Sequence, residues 1–168
     1  IPGGTVNDVA STLGLSKNPP AAARDIVNGR EFAIDIGSFG PDRWFVYVAA
    51  FGLFTDVAYE TPQEDKRVLG RLAYLLAGVR ALNDVRPIRM RVTCGGQTAE
   101  ADVLDGLVCS TTSVGGFKPK TTDLDISLND GLAEVLLVHN FTNMIDVSNA
   151  AGCLLRGSFQ NEYFLTYQ

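Results

Sequence analysis

A chain of 168 residues with 46% hydrophobic and 20% charged positions has enough apolar side chains for one buried core, and this composition excludes a disordered or fibrous protein. Lys plus Arg number 14 against 19 for Asp plus Glu, so the net charge of -5 supplies no broad cationic field and argues against nucleic acid as a partner. The three cysteines, Cys94, Cys109 and Cys153, form no Cys-x-x-Cys pair and none sits near the single histidine, His139, which removes zinc and points to reduced thiols in a cytoplasmic protein.

The chain opens at Ile1-Pro2-Gly3-Gly4 with no methionine and no signal-like apolar run, from which an upstream segment is expected. Residues 7–15, with Val9, Ala10 and Leu13 on one face and Asn7 or Asp8 as cap, predict a short helix ended by Gly14 or by Asn18-Pro19-Pro20. A second helix is expected over 21–27, closed by Asn28-Gly29. Phe32, Ile34 and Ile36 then alternate with Ala33, Asp35 and Gly37 as in a half-buried strand, Gly40-Pro41-Asp42 supplies a turn, and 44–51 reads as a more apolar strand. Thr61-Pro62-Gln63-Glu64 has the signature of a helix start, and Val68, Leu69, Leu72, Leu75, Leu76, Val79 and Leu82 extend it on one face to Asn83-Asp84.

The next stretch, 88–94, alternates Ile88, Met90, Val92 and Cys94 with polar residues, and Gly95-Gly96 turns it into 98–103, a hairpin with one wet face. Further strands are expected at 107–111, 132–139 and 163–167, a shorter alternation at Leu124, Ile126 and Leu128, and a helix at 144–155. No internal repeat or linker is visible, and no apolar run approaches the roughly 20 residues that span a bilayer. The fold class is therefore α+β and mainly β: an antiparallel β-sandwich with flanking helices, one domain over 1–168, at most peripheral to a membrane through a patch such as Arg86, Arg89 and Arg91.

Three places hold more polar and glycine content than packing requires. Pro2-Gly3-Gly4-Thr5-Val6-Asn7-Asp8 is a glycine turn before a helix start; it can offer backbone N–H groups and a hydroxyl to a phosphate, and it is also how an ordinary helix begins. The loop 113–120, with Lys118 and Lys120, reads either as substrate-facing or as a solvated connection. Asp123, Asp125 and Asn129-Asp130-Gly131 combine carboxylates with a tight turn, a donor set suited to Mg²⁺ and equally to a plain chain reversal. His139 ends an apolar strand with no nucleophile elbow nearby, so a Ser-His-Asp hydrolase is set aside.

Taken in order, several stretches resemble the diacylglycerol kinase catalytic-domain family, in particular its bacterial lipid kinases, which are related to sphingosine kinases and NAD kinases. They are Pro2-Gly3-Gly4-Thr5-Val6-Asn7-Asp8-Val9-Ala10, similar to the family's Pro-x-Gly-Thr-x-Asn-Asp-Phe-Ala block; Ile34-Asp35-Ile36-Gly37; 45–52; Gly70-Arg71-Leu72-Ala73-Tyr74-Leu75; and Asn129-Asp130-Gly131-Leu132 leading to Glu134-Val135. The set runs through most of the chain.

The resemblance implies transfer of the ATP γ-phosphoryl group to the hydroxyl of diacylglycerol or another lipid alcohol, within phospholipid metabolism. It implies nucleotide contact at Gly4 and Thr5, catalytic roles at the cleft for Asn7 and Asp8, and a structural Mg²⁺ held by Asp130 with the carbonyls of Ser127 and Leu132. Two family features are absent from the 168 residues: the Gly-Gly-Asp-Gly-Thr nucleotide loop and the Asp-Gly-Glu motif that holds the catalytic base. The expectation is thus the lipid-side β-sandwich domain of a lipid kinase, inactive alone, lacking the N-terminal nucleotide-binding domain and the C-terminal catalytic motif. An apolar surface left bare, or covered in a homo-oligomer, should accompany it. The alternative is a non-catalytic lipid- or partner-binding sandwich in which Asn129-Asp130 is only a turn.

Overall fold

A computed structural model describes residues 1–4, 6–52, 55, 86–114, 126–141 and 143–168. Thr5, the helix expected over 61–82 with the 70–75 stretch, Asp123, Leu124, Asp125 and most of the 113–120 loop lie outside the described residues. The elements are, in chain order, α1 (Asp8–Thr12), α2 (Pro19–Asn28), β1 (Gly37–Ser38), β2 (Trp44–Phe45), β3 (Val48–Gly52), β4 (Ile88–Cys94), β5 (Gln97–Cys109), β6 (Glu134–His139), α3 (Met144–Arg156) and β7 (Phe164–Tyr167). The fold is mainly antiparallel sheet with a few helices. Among the described residues no helix is long and apolar enough to cross a membrane.

The sheet is organised around β5. Its first half pairs with β4 from Cys94↔Gln97 to Ile88↔Val103, and its second half pairs with β3 from Gly52↔Asp105 to Val48↔Cys109. On the opposite edge β6 runs along β5 with a bulge between Val103 and Asp105, and β7 pairs with β6. A strand of 13 residues is long, and the bulge lets it bend without losing its register on either side. The alternation read in 88–103 is this hairpin, and Gly95 and Gly96 turn it with φ of 55° and 77°.

One face of the sheet receives α3. Asn143 begins that helix by accepting the Ile145 and Asp146 N–H groups at 2.9 Å each, and Gly157, at φ 65°, ends it while the Ser158 N–H returns to the Cys153 carbonyl. Ala150 packs there with Leu136, Val138, Phe159 and Phe164, and the last two rings meet edge to face at 5.4 Å. On the other face Gly106 lies under Phe51: a Cβ at that position would stand 2.3 Å from the ring. The missing side chain is what lets Phe51 lie over the sheet.

Four sequence expectations change. Residues 32–36 form no strand; pairing is confined to β1 and β2, whose register is Gly37↔Phe45 and Ser38↔Trp44 around the Gly40-Pro41-Asp42 turn. The cause is Asp35, whose backbone N–H goes to the Leu128 carbonyl at 2.7 Å, so the segment is tied to a loop and not to a ladder. The single strand expected over 44–51 is broken between β2 and β3 by a bend at Val46 and Tyr47. Ile126 and Leu128 likewise lie outside any strand. The second helix begins two residues earlier than expected, at Pro19, because Asn18 accepts the Ala21 N–H at 3.0 Å and proline suits the first helical position.

Candidate active site around Asp8

The glycine turn and α1 divide their polar side chains between two tasks. Asn7 takes the left-handed conformation, φ 58° and ψ 45°, a region asparagine enters more readily than most residues. Its carboxamide turns back on Gly4, accepting the Gly4 N–H at 2.8 Å and donating to the Gly4 carbonyl at 2.6 Å. Asn7 is the N-cap of α1, one of the two residues expected there, but its side chain makes no capping bond to the helix because it closes the turn instead. Gly4 fits this closure because a Cβ there would already meet the Asn7 Oδ1 at 3.2 Å.

Asp8 points the other way, inward, and is 9% exposed. Tyr47, at the bend between β2 and β3, donates its phenol to Asp8 Oδ2 at 2.5 Å, and Ser113, beyond the end of β5, donates its hydroxyl to Asp8 Oδ1. Each carboxylate oxygen thus receives a neutral hydroxyl donor, and the two together fix the plane of the carboxylate. A second layer fixes the first. Thr12 donates to the Asp8 backbone carbonyl at 2.9 Å, so in its 2.8 Å contact with Thr111 the Thr111 hydroxyl is the donor; the Ser113 carbonyl, 3.2 Å away, is the alternative acceptor for that proton. One turn of helix is thereby tied to the segment after β5 through two threonine hydroxyls.

Asp8 and Tyr47 open onto a cleft of about 460 Å³ whose lining also includes Pro2, Asn7, Val9 and Leu13. Its walls are apolar and one carboxylate stands in them, a layout suited to a mostly apolar ligand with a polar end. Of the sequence-predicted residues, Gly4, Asn7 and Asp8 come together here. The turn offers no long helix axis to a phosphate, since α1 has only 5 residues.

The second predicted place is assembled separately. Asp130 Oδ1 accepts the Leu132 N–H at 3.0 Å, Ser127 donates to Asn129 at 3.2 Å, and Gly131 turns the chain at φ 76°. Asp35 reaches this turn from the other side and accepts the Gly131 N–H at 2.8 Å. Asp130, Ser127 and Leu132 thus share one turn, and its donors are oxygens of the hard kind that Mg²⁺ takes. Among the described residues no three His, Cys, Asp or Glu side chains form a metal-binding group, so a cation here would rest on few carboxylates, carbonyls and water.

Sequence reasoning missed Tyr47, Thr12 and Thr111, and treated Ser113 only as the start of a loop. Tyr47 was hidden in an apolar run. The one available signal was Thr111-Thr112-Ser113, three hydroxyls in succession directly after an apolar strand.

No family model matches the chain. The diacylglycerol kinase of Bacillus subtilis (strain 168) is 33% identical over 168 residues, covering 99% of this chain and 54% of that protein. The diacylglycerol kinase of Staphylococcus aureus (strain JH9) is 28% identical, covering 100% of this chain and 52% of that protein. The crystal structure of a diacylglycerol kinase from Bacillus anthracis str. Sterne superimposes with a TM-score of 0.70 at 19% identity, over 100% of this chain and 55% of that one, and so shares the fold. The chain therefore shares that structure's mainly antiparallel sheet fold with a few helices. Along its whole length the chain is a homologue of the diacylglycerol kinases, as the motifs at 2–10 and 129–135 indicated, and it spans about half the length of the relatives it matches.

Proposed function

We propose that the protein containing this chain transfers the γ-phosphoryl group of ATP to the hydroxyl of diacylglycerol or a similar lipid alcohol, and that the chain supplies the lipid-side part of the catalytic cleft. The observation that carries this reading is Asp8: a nearly buried carboxylate, held by two hydroxyls, standing in an otherwise apolar cleft beside a glycine turn. In this reading Gly4 and Thr5 face the nucleotide, Asn7 keeps the turn in shape, and Asp8 lies where the phosphoryl acceptor enters. Catalysis is then by positioning and charge stabilisation.

Bound Mg²⁺ supplies neutralisation of developing phosphoryl charge and, at a separate structural position, a cross-link within a turn. Asp130 with the carbonyls of Ser127 and Leu132 would hold the structural ion, and the oxygen donors of that turn fit it. The rest of the nucleotide cradle and the catalytic base belong, in this proposal, to parts of the protein outside these residues. Val6, Val9 and Leu13, apolar and exposed around α1, then face the nucleotide-binding part. Contact with a membrane surface is peripheral.

The test is phosphorylation of diacylglycerol in mixed micelles with labelled ATP and Mg²⁺, comparing the 168 residues with the complete protein. Turnover is expected from the complete protein and little or none from the 168 residues. A complete protein with no lipid phosphorylation refutes the kinase reading; fast turnover by the 168 residues alone refutes the division of labour.

A further inference from the structure

We infer that Tyr47 and Ser113 are positioning residues for phosphoryl transfer, holding the Asp8 carboxylate in one orientation at the cleft. The inference rests on the lipid-kinase reading and extends it to two residues to which the sequence reading assigned no role. Three separate segments converge on this carboxylate: α1 brings Asp8, the bend between β2 and β3 brings Tyr47, and the residues after β5 bring Ser113.

The two donors differ in setting. Tyr47 lines the cleft, whereas Ser113 is 1% exposed and sits behind Asp8. A carboxylate has about four lone-pair sites, two on each oxygen. The two hydroxyls each hold one oxygen, which restrains the carboxylate from rotating. The bend that splits the expected 44–51 strand is what turns the Tyr47 phenol toward Asp8, so the interruption of the strand and the contact have one origin.

The experiment measures kcat and KM for diacylglycerol and ATP in the complete protein carrying Tyr47→Phe, Ser113→Ala or Ser113→Thr, each alone and with Asp8→Asn, alongside the melting temperature. Tyr47→Phe keeps the ring and removes only the donor. Tyr47→Phe and Ser113→Ala are each expected to lower kcat about 10-fold or more with little change in either KM. Ser113→Thr, which retains a hydroxyl, should recover most of the lost rate. On the Asp8→Asn background neither change should cost anything further, because the group they act through is gone. Unchanged kcat in Tyr47→Phe and Ser113→Ala, or losses that multiply with that of Asp8→Asn, overturn the inference while leaving the kinase reading intact. An inactive unsubstituted protein overturns both. Should Ser113→Ala fail to fold, Tyr47→Phe with its double variant decides alone.

Discussion

At the scale of single residues, Cys109 shows what the sheet does to an ionisable group. It pairs with Glu134 across β5 and β6, and loss of solvation, with the neighbouring carboxylate as a second cause, pushes its thiol up to about 12. At about pH 8 the thiolate fraction is on the order of 10⁻⁴, so iodoacetamide should label Cys94 and Cys153 while sparing Cys109 until the chain unfolds. Intact-mass spectrometry checks this; a third adduct on the folded protein contradicts it. The linkage has a definite sign. A thiol kept neutral in the fold contributes fully below its unfolded value, 9.0, and that contribution is lost as pH rises toward 12. Cys109→Ala should therefore flatten the alkaline limb of the stability curve. The same scale marks the limit of sequence reading. Asn7 and Asp8 were legible because glycine and polar residues stand where packing does not need them. Tyr47 was not, because periodicity reports which side of a strand is apolar and not which distant carboxylate a phenol will meet.

At the scale of elements, sequence patterns succeeded where local chemistry governs. The 88–103 hairpin, α2 and α3 follow from alternation, caps and glycine turns. The 32–36 alternation failed because a strand needs a partner, and Asp35 is held by the loop at 128–131 through both its backbone and its side chain. On the hairpin, Arg91 and Arg89 hold the Glu100 carboxylate below its usual range, and Glu100 with Asp102 raises Arg89. These groups are exposed, so their contribution is small and screened by salt. Its sign is fixed all the same: present above the ordinary carboxylate value, lost as pH falls below it. Glu100→Gln should remove a salt-sensitive part of the acid unfolding limb, measured by thermal melts across pH at low and high ionic strength. Packing gives larger effects. Gly106→Ala drives a methyl into Phe51 and Leu137 Cδ2, which lie 2.3 and 2.8 Å from the new Cβ, and should cost about 1–3 kcal/mol in urea unfolding. Asn143→Ala, which deletes the α3 cap, should cost about 1 kcal/mol.

At the scale of the whole molecule, the ordered set of motifs carried more than any single one. The turn at 2–8 and the turn at 127–132 are both commonplace alone, and their order along a mainly β chain is what pointed to the kinases to which the chain proves homologous. The cation remains to be tested at this scale, since an ion that binds only the folded form raises the stability of the whole protein. Asp130→Asn is expected to lower the melting temperature in Mg²⁺ and to leave it unchanged in chelator. An equal loss under both conditions would show that Asp130 acts within the turn without a cation.

The bond between Ser113 and Asp8 joins positions 105 apart in the sequence. During synthesis α1, both hairpins and the whole of β5 precede Ser113 out of the ribosome, so the acidic group waits for one of its two hydroxyls until 105 further residues have been added. Contacts of such separation are slow to close. The nascent protein is therefore expected to complete the surroundings of Asp8 only once β5 and the residues after it have emerged, well after α1 itself.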